Sequence, residues 1–418
     1  MIHTKTRLLA AGAAAAALVV AAGCGSSGSS GSATSSGPST KANKTITIGL
    51  LTDRSGPAAS GNKTSVEGVK AGAVLAAREG YTIKYIVADT ATNPATALSA
   101  AQKLVTQNHV TAVIAHSALT FAASTYLTSH GIPVVGAAED GPEWITAKNM
   151  FSVFGAIHST KVSTTQGLFF KMQGVTNLAA LGYSISPTSS EAAKAAQVSA
   201  QKAGIKVGYL NSKFPFGSTN VAPIALEMKK AGINGFTAST DPNTAFSLIT
   251  ALRQQGVDIK AALLPTGYGG DLIQAGPGAL KAAQNVYFVL GYEPIEMQTA
   301  ATKQFAADLK SSGTTGEPTF AMYNGYVSVG LLLQGLKGAG ADPTHASLIA
   351  SLSTIHAFTA LGLFGSHKLD INDRTNLVNG VDNCAWITKL EGSTFTLVKG
   401  ATPICGSEIR GVTVAPSS

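Results

Sequence analysis

The sequence predicts an α/β protein built from two doubly wound lobes. Strand-length apolar runs alternate with helix-length segments from residue 45 onward, and a second series of the same kind begins near residue 178. The body that they fill, from about residue 44 to 418, is too long for one small core and fits two domains.

The first series opens with Thr45–Leu51 (TITIGLL), a β-branched and apolar strand, followed by a loop over Asp53–Gly61. Ser65–Arg78 reads as a helix, with Val66, Val69, Val74 and Leu75 at helical spacing. Thr82–Ala88 is a strand. Asn93-Pro94 opens a helix, with Pro94 where its missing N–H costs nothing. Strand Val110–Ala115, helix Thr120–Ser129 and strand Ile132–Val135 follow. Such a βαβαβα order implies a parallel sheet covered by helices on both faces.

The second series has strands at Leu178–Tyr183, Lys206–Leu210, Gly235–Ala238, Ala261–Pro265 and Asn285–Leu290. Helices at Ser189–Ala203, Val221–Gly232 and Thr244–Gln255 separate the first four. Helices Thr299–Ser311, Phe320–Lys337 and Thr344–Leu352 have no strands of their own. They are expected to cover an existing sheet, which takes the chain back to the first lobe. Cys384–Lys389 and Thr394–Lys399 read as a hairpin around Glu391-Gly392-Ser393.

The amino terminus indicates export. Lys5 and Arg7 precede a 15-residue apolar run, Leu8–Ala22, that ends in small residues, the layout of a secretory signal peptide. The run falls short of the about 20 residues of a spanning helix, the alternative reading. Val20-Ala21-Ala22-Gly23-Cys24 resembles a bacterial lipobox, with Val20 where Leu is usual. The resemblance implies cleavage after residue 23 and lipidation of Cys24. Gly25–Thr40 is almost entirely Gly and Ser and spans roughly 20 Å as a flexible coil. Residues 24–44 thus read as a tether that lifts a folded body off a membrane.

There are three cysteines. With Cys24 lipidated, an exported chain is expected to join Cys384 to Cys405; two unpaired buried thiols are the alternative. No CxxC or Cys/His cluster points to a metal, and no cofactor is expected. The net charge is +8, and the basic residues are scattered singly. That pattern serves solubility and lacks the clustered face of a nucleic-acid binder.

Loops after strands of doubly wound sheets face the ligand cleft. The candidates are Asp53–Pro57, His116–Thr120, Gly136–Pro142, Ser184–Ser190, Ser239–Pro242 and Thr266–Gly270. Ser117, Ala118 and Thr120 stand where a helix begins. They can hold an anion or carbonyl through first-turn N–H groups and hydroxyls, or simply cap the helix. Enzyme signatures are poor: no GxSxG, HExxH or Walker loop occurs. Ser60-Gly-Asn-Lys63 fits SxxK without a KTG partner. Gly267-Tyr-Gly269 lacks the third glycine of a dinucleotide loop, with Leu272 in its place. No catalytic residue is assigned, and His116 is expected to make local hydrogen bonds.

Several segments resemble, in order and spacing, the leucine/isoleucine/valine-binding family of type I periplasmic-binding proteins. They are Ile46-Thr-Ile-Gly-Leu-Leu51 with Ser55-Gly-Pro57, Ala88-Asp89-Thr90 with Asn93-Pro94, Val113–Ser117, Gly131–Val135 and Phe320–Tyr326. The likeness covers about residues 45–400. It implies two Rossmann-like lobes joined by three crossovers, near Phe154, Leu290 and Asn379. Lobe 1 would comprise 45–154 and 291–379, and lobe 2 155–290 and 380–415. It also implies a monomer that hands a small-molecule solute to an ABC transporter permease, held at the outer face of the cell membrane by its lipid. A lipid-anchored sensor is the alternative function, and a hydrolase on this scaffold lacks a nucleophile–base pair.

Amino-acid-binding members of that family grip the α-carboxylate with hydroxyls and backbone groups of the first lobe, and the ammonium with an acid of the second. By position, Ser117 matches a hydroxyl ligand and Ala138 a backbone ligand. A further hydroxyl falls on Asp140, the ammonium-binding acid on Thr266, the first-loop aromatic near Gly61, and second-lobe tyrosines near Thr188 and Asp241. An Asp beside a ligand carboxylate repels it, and a neutral Thr does not compensate an ammonium. A neutral, cationic or differently oriented ligand is therefore expected in place of a free branched-chain amino acid. Asp241 could replace the missing acid, and Asp140 could instead be a surface or helix-capping aspartate before Pro142.

Overall fold

A computed structural model describes residues 44–138, 140–274 and 276–417. The signal peptide, the lipid site at Cys24 and the tether up to residue 43 lie outside the described residues. No helix among those described is long and apolar enough to cross a membrane.

The first sheet has five parallel strands. They are β1 (Lys44–Thr52), β2 (Tyr81–Asp89), β3 (Ala112–His116), β4 (Val134–Gly136) and β5 (Met150–Ser152), in the order β2-β1-β3-β4-β5. Ile46, Ile48, Leu50 and Leu51 of β1 are buried, as a central strand covered on both faces requires. Its helices are α1 (Ala59–Asn62), α2 (Ser65–Arg78), α3 (Pro94–Thr106), α4 (Phe121–Ser129) and α5 (Glu143–Thr146). Asn93 caps α3 by accepting from the N–H groups of Ala95 and Thr96, with Pro94 in the first turn.

The chain then passes through 153–160 into β6 (Lys161–Ser163) and α6 (Thr165–Met172). The second sheet contains β7 (Asn177–Tyr183), β8 (Lys206–Phe214), β9 (Gly235–Ser239), β10 (Ala261–Leu264) and β11 (Val286–Leu290). Between them run α7 (Pro187–Lys202), α8 (Ala222–Lys230), α9 (Pro242–Gln254), α10 (Gly270–Gln274) and α11 (Pro277–Ala282). After β11 the chain returns to the first sheet as α12 (Ala300–Ser311), α13 (Phe320–Gly338) and α14 (His345–Leu352), with α13 packed on α2, β3 and β4. It crosses once more, through 377–383, to β12 (Cys384–Glu391), β13 (Thr394–Leu397), β14 (Ile404–Cys405) and β15 (Glu408–Thr413). The second sheet runs β13-β12-β11-β10-β9-β7-β8. β12 and β13 pair antiparallel with Glu391 opposite Thr394, so Gly392 and Ser393 form the hairpin turn.

The returning helix sits close because glycines line its path. A Cβ on Gly72 of α2 would lie 2.5 Å from Cβ of Val329 on α13, and one on Gly325 would lie 2.5 Å from the Ser65 carbonyl oxygen. A partly buried network ties α2, α12 and α13 together. Arg78 donates from both terminal nitrogens to Asp308 (2.5 and 2.7 Å), which also accepts from Tyr326 (2.8 Å) and Gln304 (3.0 Å).

The three connecting strips lie side by side. Phe154 and Tyr292 rings are 5.0 Å apart, and Gly291 leaves the room Phe154 needs. The His158 N–H donates to the Leu377 carbonyl at 3.0 Å. Arg374 pins the third strip to the first lobe by donating to the carbonyls of Trp144 (2.8 Å) and Met150 (2.9 Å). Cys384 and Cys405 are joined in a disulfide between β12 and β14.

Candidate functional site: a cleft between two sheets

The carboxyl ends of the strands of both sheets open onto one cavity of about 430 Å³. The first lobe contributes Ala58, with Gly61 and Asn62 of α1, after β1, and Ala118 and Ala138 from the loops after β3 and β4. The second contributes Tyr183 at the end of β7, Thr188 in the first turn of α7, and Asp241 and Thr266 from the loops after β9 and β10. Phe154, Gly291 and Asn379, one from each connecting strip, line its back. Hydrogen bonds link the two sides of the mouth. Ser60 Oγ donates to Asp241 at 3.3 Å, and the Asp140 carbonyl accepts from Thr188 N–H (3.2 Å) and Ser186 Oγ (3.0 Å).

Of the eight positions singled out in the sequence, Gly61, Ala118, Ala138, Thr188, Asp241 and Thr266 line this cavity. Ser117 and Asp140 do not, which corrects the expectation that their side chains face the cleft. The Ser117 hydroxyl turns into the first lobe and donates to Asp53 at 2.6 Å, while its oxygen accepts from the Leu119 N–H. It therefore serves the start of α4. Asp140 is wholly buried and accepts from the Phe121 N–H (2.8 Å), the first residue of α4, and from Trp144 Nε1 (3.1 Å). It is not the surface aspartate of the alternative reading, and the helix it anchors is the preceding α4 rather than one that opens at Pro142.

Asp140 has an acidic neighbour. Burial first, then the Asp140 charge and a hydrogen bond with it, push the Glu143 carboxyl up to about 10; burial raises Asp140 as well. Asp140 has two donors aimed at it, so Glu143 is the member that keeps the proton. His116 is fully buried beside Ser328 (3.1 Å), and burial lowers it to about 3, leaving a neutral ring.

In the second lobe Asp241 is the N-cap of α9. It accepts from the Thr244 N–H (3.0 Å) and hydroxyl (2.7 Å), from Ser60, and from the Tyr183 hydroxyl in a short hydrogen bond. Burial, then the Asp241 charge, raises Tyr183 and keeps its hydroxyl protonated. Thr266 donates to the Thr240 carbonyl at 3.0 Å.

Sequence reasoning missed the inward face of α7, where Ala192, Ala195 and Ser199 line the cavity. The signal was present as small residues at helical spacing. It also missed Phe216, because β8 runs on to Phe214 instead of ending at Leu210, and Phe320, which follows no strand. Among the described residues, the one His/Cys/acid grouping with metal-ligand spacing is His367, Cys384 and Cys405. The disulfide consumes both thiols.

The profile of the periplasmic binding protein family matches residues 45–394. No curated protein sequence matches the chain significantly. Solved structures share its fold. A solute-binding protein of an ABC transporter from R. palustris, solved with 4-hydroxybenzoate, is 17% identical over 90% of this chain and 98% of its own, with a TM-score of 0.70. The branched-chain amino acid binding protein LivJ from Streptococcus pneumoniae, solved with isoleucine, is 20% identical over 85% and 99%, with a TM-score of 0.69. A leucine-binding protein from Thermotoga maritima is 16% identical over 84% and 97%, also with a TM-score of 0.69.

Proposed function

Because this chain belongs to the periplasmic binding protein family, we propose that it captures a small organic solute in the interlobe cleft and delivers it to the permease of an ABC importer. The observation that carries this reading is the cavity itself. It is lined by strand-end loops of two sheets, and its back is formed by three adjacent connecting strips. Such strips are the positions that absorb backbone rotation when lobes close on a ligand. Lipidation of Cys24 and the Gly/Ser segment behind it support tethering at the outer face of the membrane. The chain would act as a monomeric lipoprotein. It binds its guest unchanged.

A thermal-shift panel of amino acids, amides, aromatic acids and sterols tests the reading. A true solute at 100 times its Kd stabilises the folded state by about 2.7 kcal/mol. If nothing in so broad a panel moves the melting temperature, solute capture fails. Cys24→Ser tests the anchor: the protein should leave the membrane fraction, and retention there would refute lipidation.

A further inference from the structure

The first lobe already holds a carboxylate where its donors converge, and that carboxylate is its own. Asp53, directly after β1, is fully buried. It accepts from the Ser117 hydroxyl (2.6 Å), the Ala118 N–H (2.8 Å), Asn62 Nδ2 (2.8 Å) and, in a short hydrogen bond, the Thr90 hydroxyl. Four donors fill the acceptor sites of a carboxylate. The Ala138 N–H, the next strand-end amide along, donates to Ser152 Oγ at 3.2 Å. A solute carboxylate arriving at Ala118 would find its donors taken and a like charge behind them.

The charged side chains that line the cavity among the described residues are Lys161 and Asp241. Lys161 donates to the Thr375 carbonyl at 2.7 Å and lies 3.7 Å from Glu408. Asp241 has the four donors named above, so an ammonium has no vacant acceptor there. A charge brought into this cleft would be desolvated without a partner. The rest of the wall is uncharged and mixes hydroxyl and amide groups, such as Ser163, Gln166 and Ser199, with a larger apolar share. Ile157, Phe216, Val289 and Phe320, each partly exposed, give the cavity most of its apolar surface. Its volume of about 430 Å³ falls among clefts of roughly 300–1,000 Å³ that take drug-sized ligands.

Resting on the capture function proposed above, we infer that the solute is uncharged, predominantly apolar and longer than an amino acid. Its body lies against Ile157, Phe216, Val289 and Phe320, and its polar end lies near the hydroxyls of Thr188 and Thr266. Asp53 acts as an internal substitute for a ligand carboxylate and so excludes acids and zwitterions.

The test uses N-phenyl-1-naphthylamine, an uncharged apolar fluorophore, titrated into the mature chain. Saturable uptake of one equivalent is expected, weakened at least tenfold by Val289→Trp, which puts an indole into the cavity. Excess 1-decanol should displace the probe, whereas leucine, 4-hydroxybenzoate and choline should not. In Asp53→Ala, which frees Ser117 and Ala118, 4-hydroxybenzoate should compete at least tenfold better than in the unaltered chain. If that variant does not fold, displacement from the unaltered chain decides alone. Displacement by leucine, 4-hydroxybenzoate or choline overturns the inference but leaves solute capture standing. Absence of saturable probe uptake also overturns it, and capture itself falls only if the wider thermal-shift panel is silent too.

Discussion

The backbone N–H of Ala118 donates to the Asp53 carboxylate at 2.8 Å, at the point where the loop after β3 meets the loop after β1. This bond connects two strand ends and the entry to α4. It also decides what the first lobe can offer a guest.

Asp53→Ala leaves the donors of Asn62, Thr90, Ser117 and Ala118 without their acceptor. Stranded buried donors cost about 1–3 kcal/mol, so a loss of about 3 kcal/mol is expected in urea unfolding followed by circular dichroism. Asp53→Asn keeps one acceptor oxygen and should lose less. Equal stability of Asp53→Ala and the unaltered protein would contradict the role given to this carboxylate.

Glu143 governs a pH dependence. Its folded-state value is raised to about 10, so the native protein holds a proton there that the unfolded chain releases above about 4.5. Stability from this group is complete below the unfolded value. It declines as pH rises toward 10, with a limiting slope of about 1.4 kcal/mol per pH unit. Glu143→Gln keeps a donor toward Asp140 without a proton to lose. Melting temperature measured from pH 5 to 9 should fall less steeply in the variant; parallel curves would contradict the assignment.

Gly61 faces Pro242 across the cleft, and a Cβ there would sit 3.4 Å from Pro242 Cδ. One methyl fits, but a ring does not. Gly61→Phe should fold normally yet abolish the thermal shift given by any solute that stabilises the unaltered protein, because the lobes could no longer close. An undiminished shift would place the solute elsewhere.

The Cys384–Cys405 bond closes a segment of sequence separation 21. Replacing both with Ser should lower stability by about 3 kcal/mol, read as a reduced urea midpoint. The effect should be matched by adding dithiothreitol to the unaltered chain.

Long periodic elements were legible in the residues. Ser65–Arg78 emerges as a helix with the expected bounds, and the turn at Gly392-Ser393 stands where the hairpin was read. β5, β6 and α6 were not foreseen. The two strands are three residues each, too short to show alternation, and Leu168-Phe169-Phe170 carries no periodic signal on its own. In the site, strand-end position found the lining backbone at Ala118 and Ala138 but not where side chains turn. Ser117 and Asp140 look like ligand groups in one dimension. They face inward because Asp53 and the first turn of α4 compete for them, a contest between segments 64 and 19 residues away.

The most direct measurement is native mass spectrometry of the mature chain incubated with each compound that raises its melting temperature. The account predicts a single bound equivalent per protein whose mass equals that of the free compound. Release of a chemically altered product, or binding of several equivalents with no preferred stoichiometry, would contradict it.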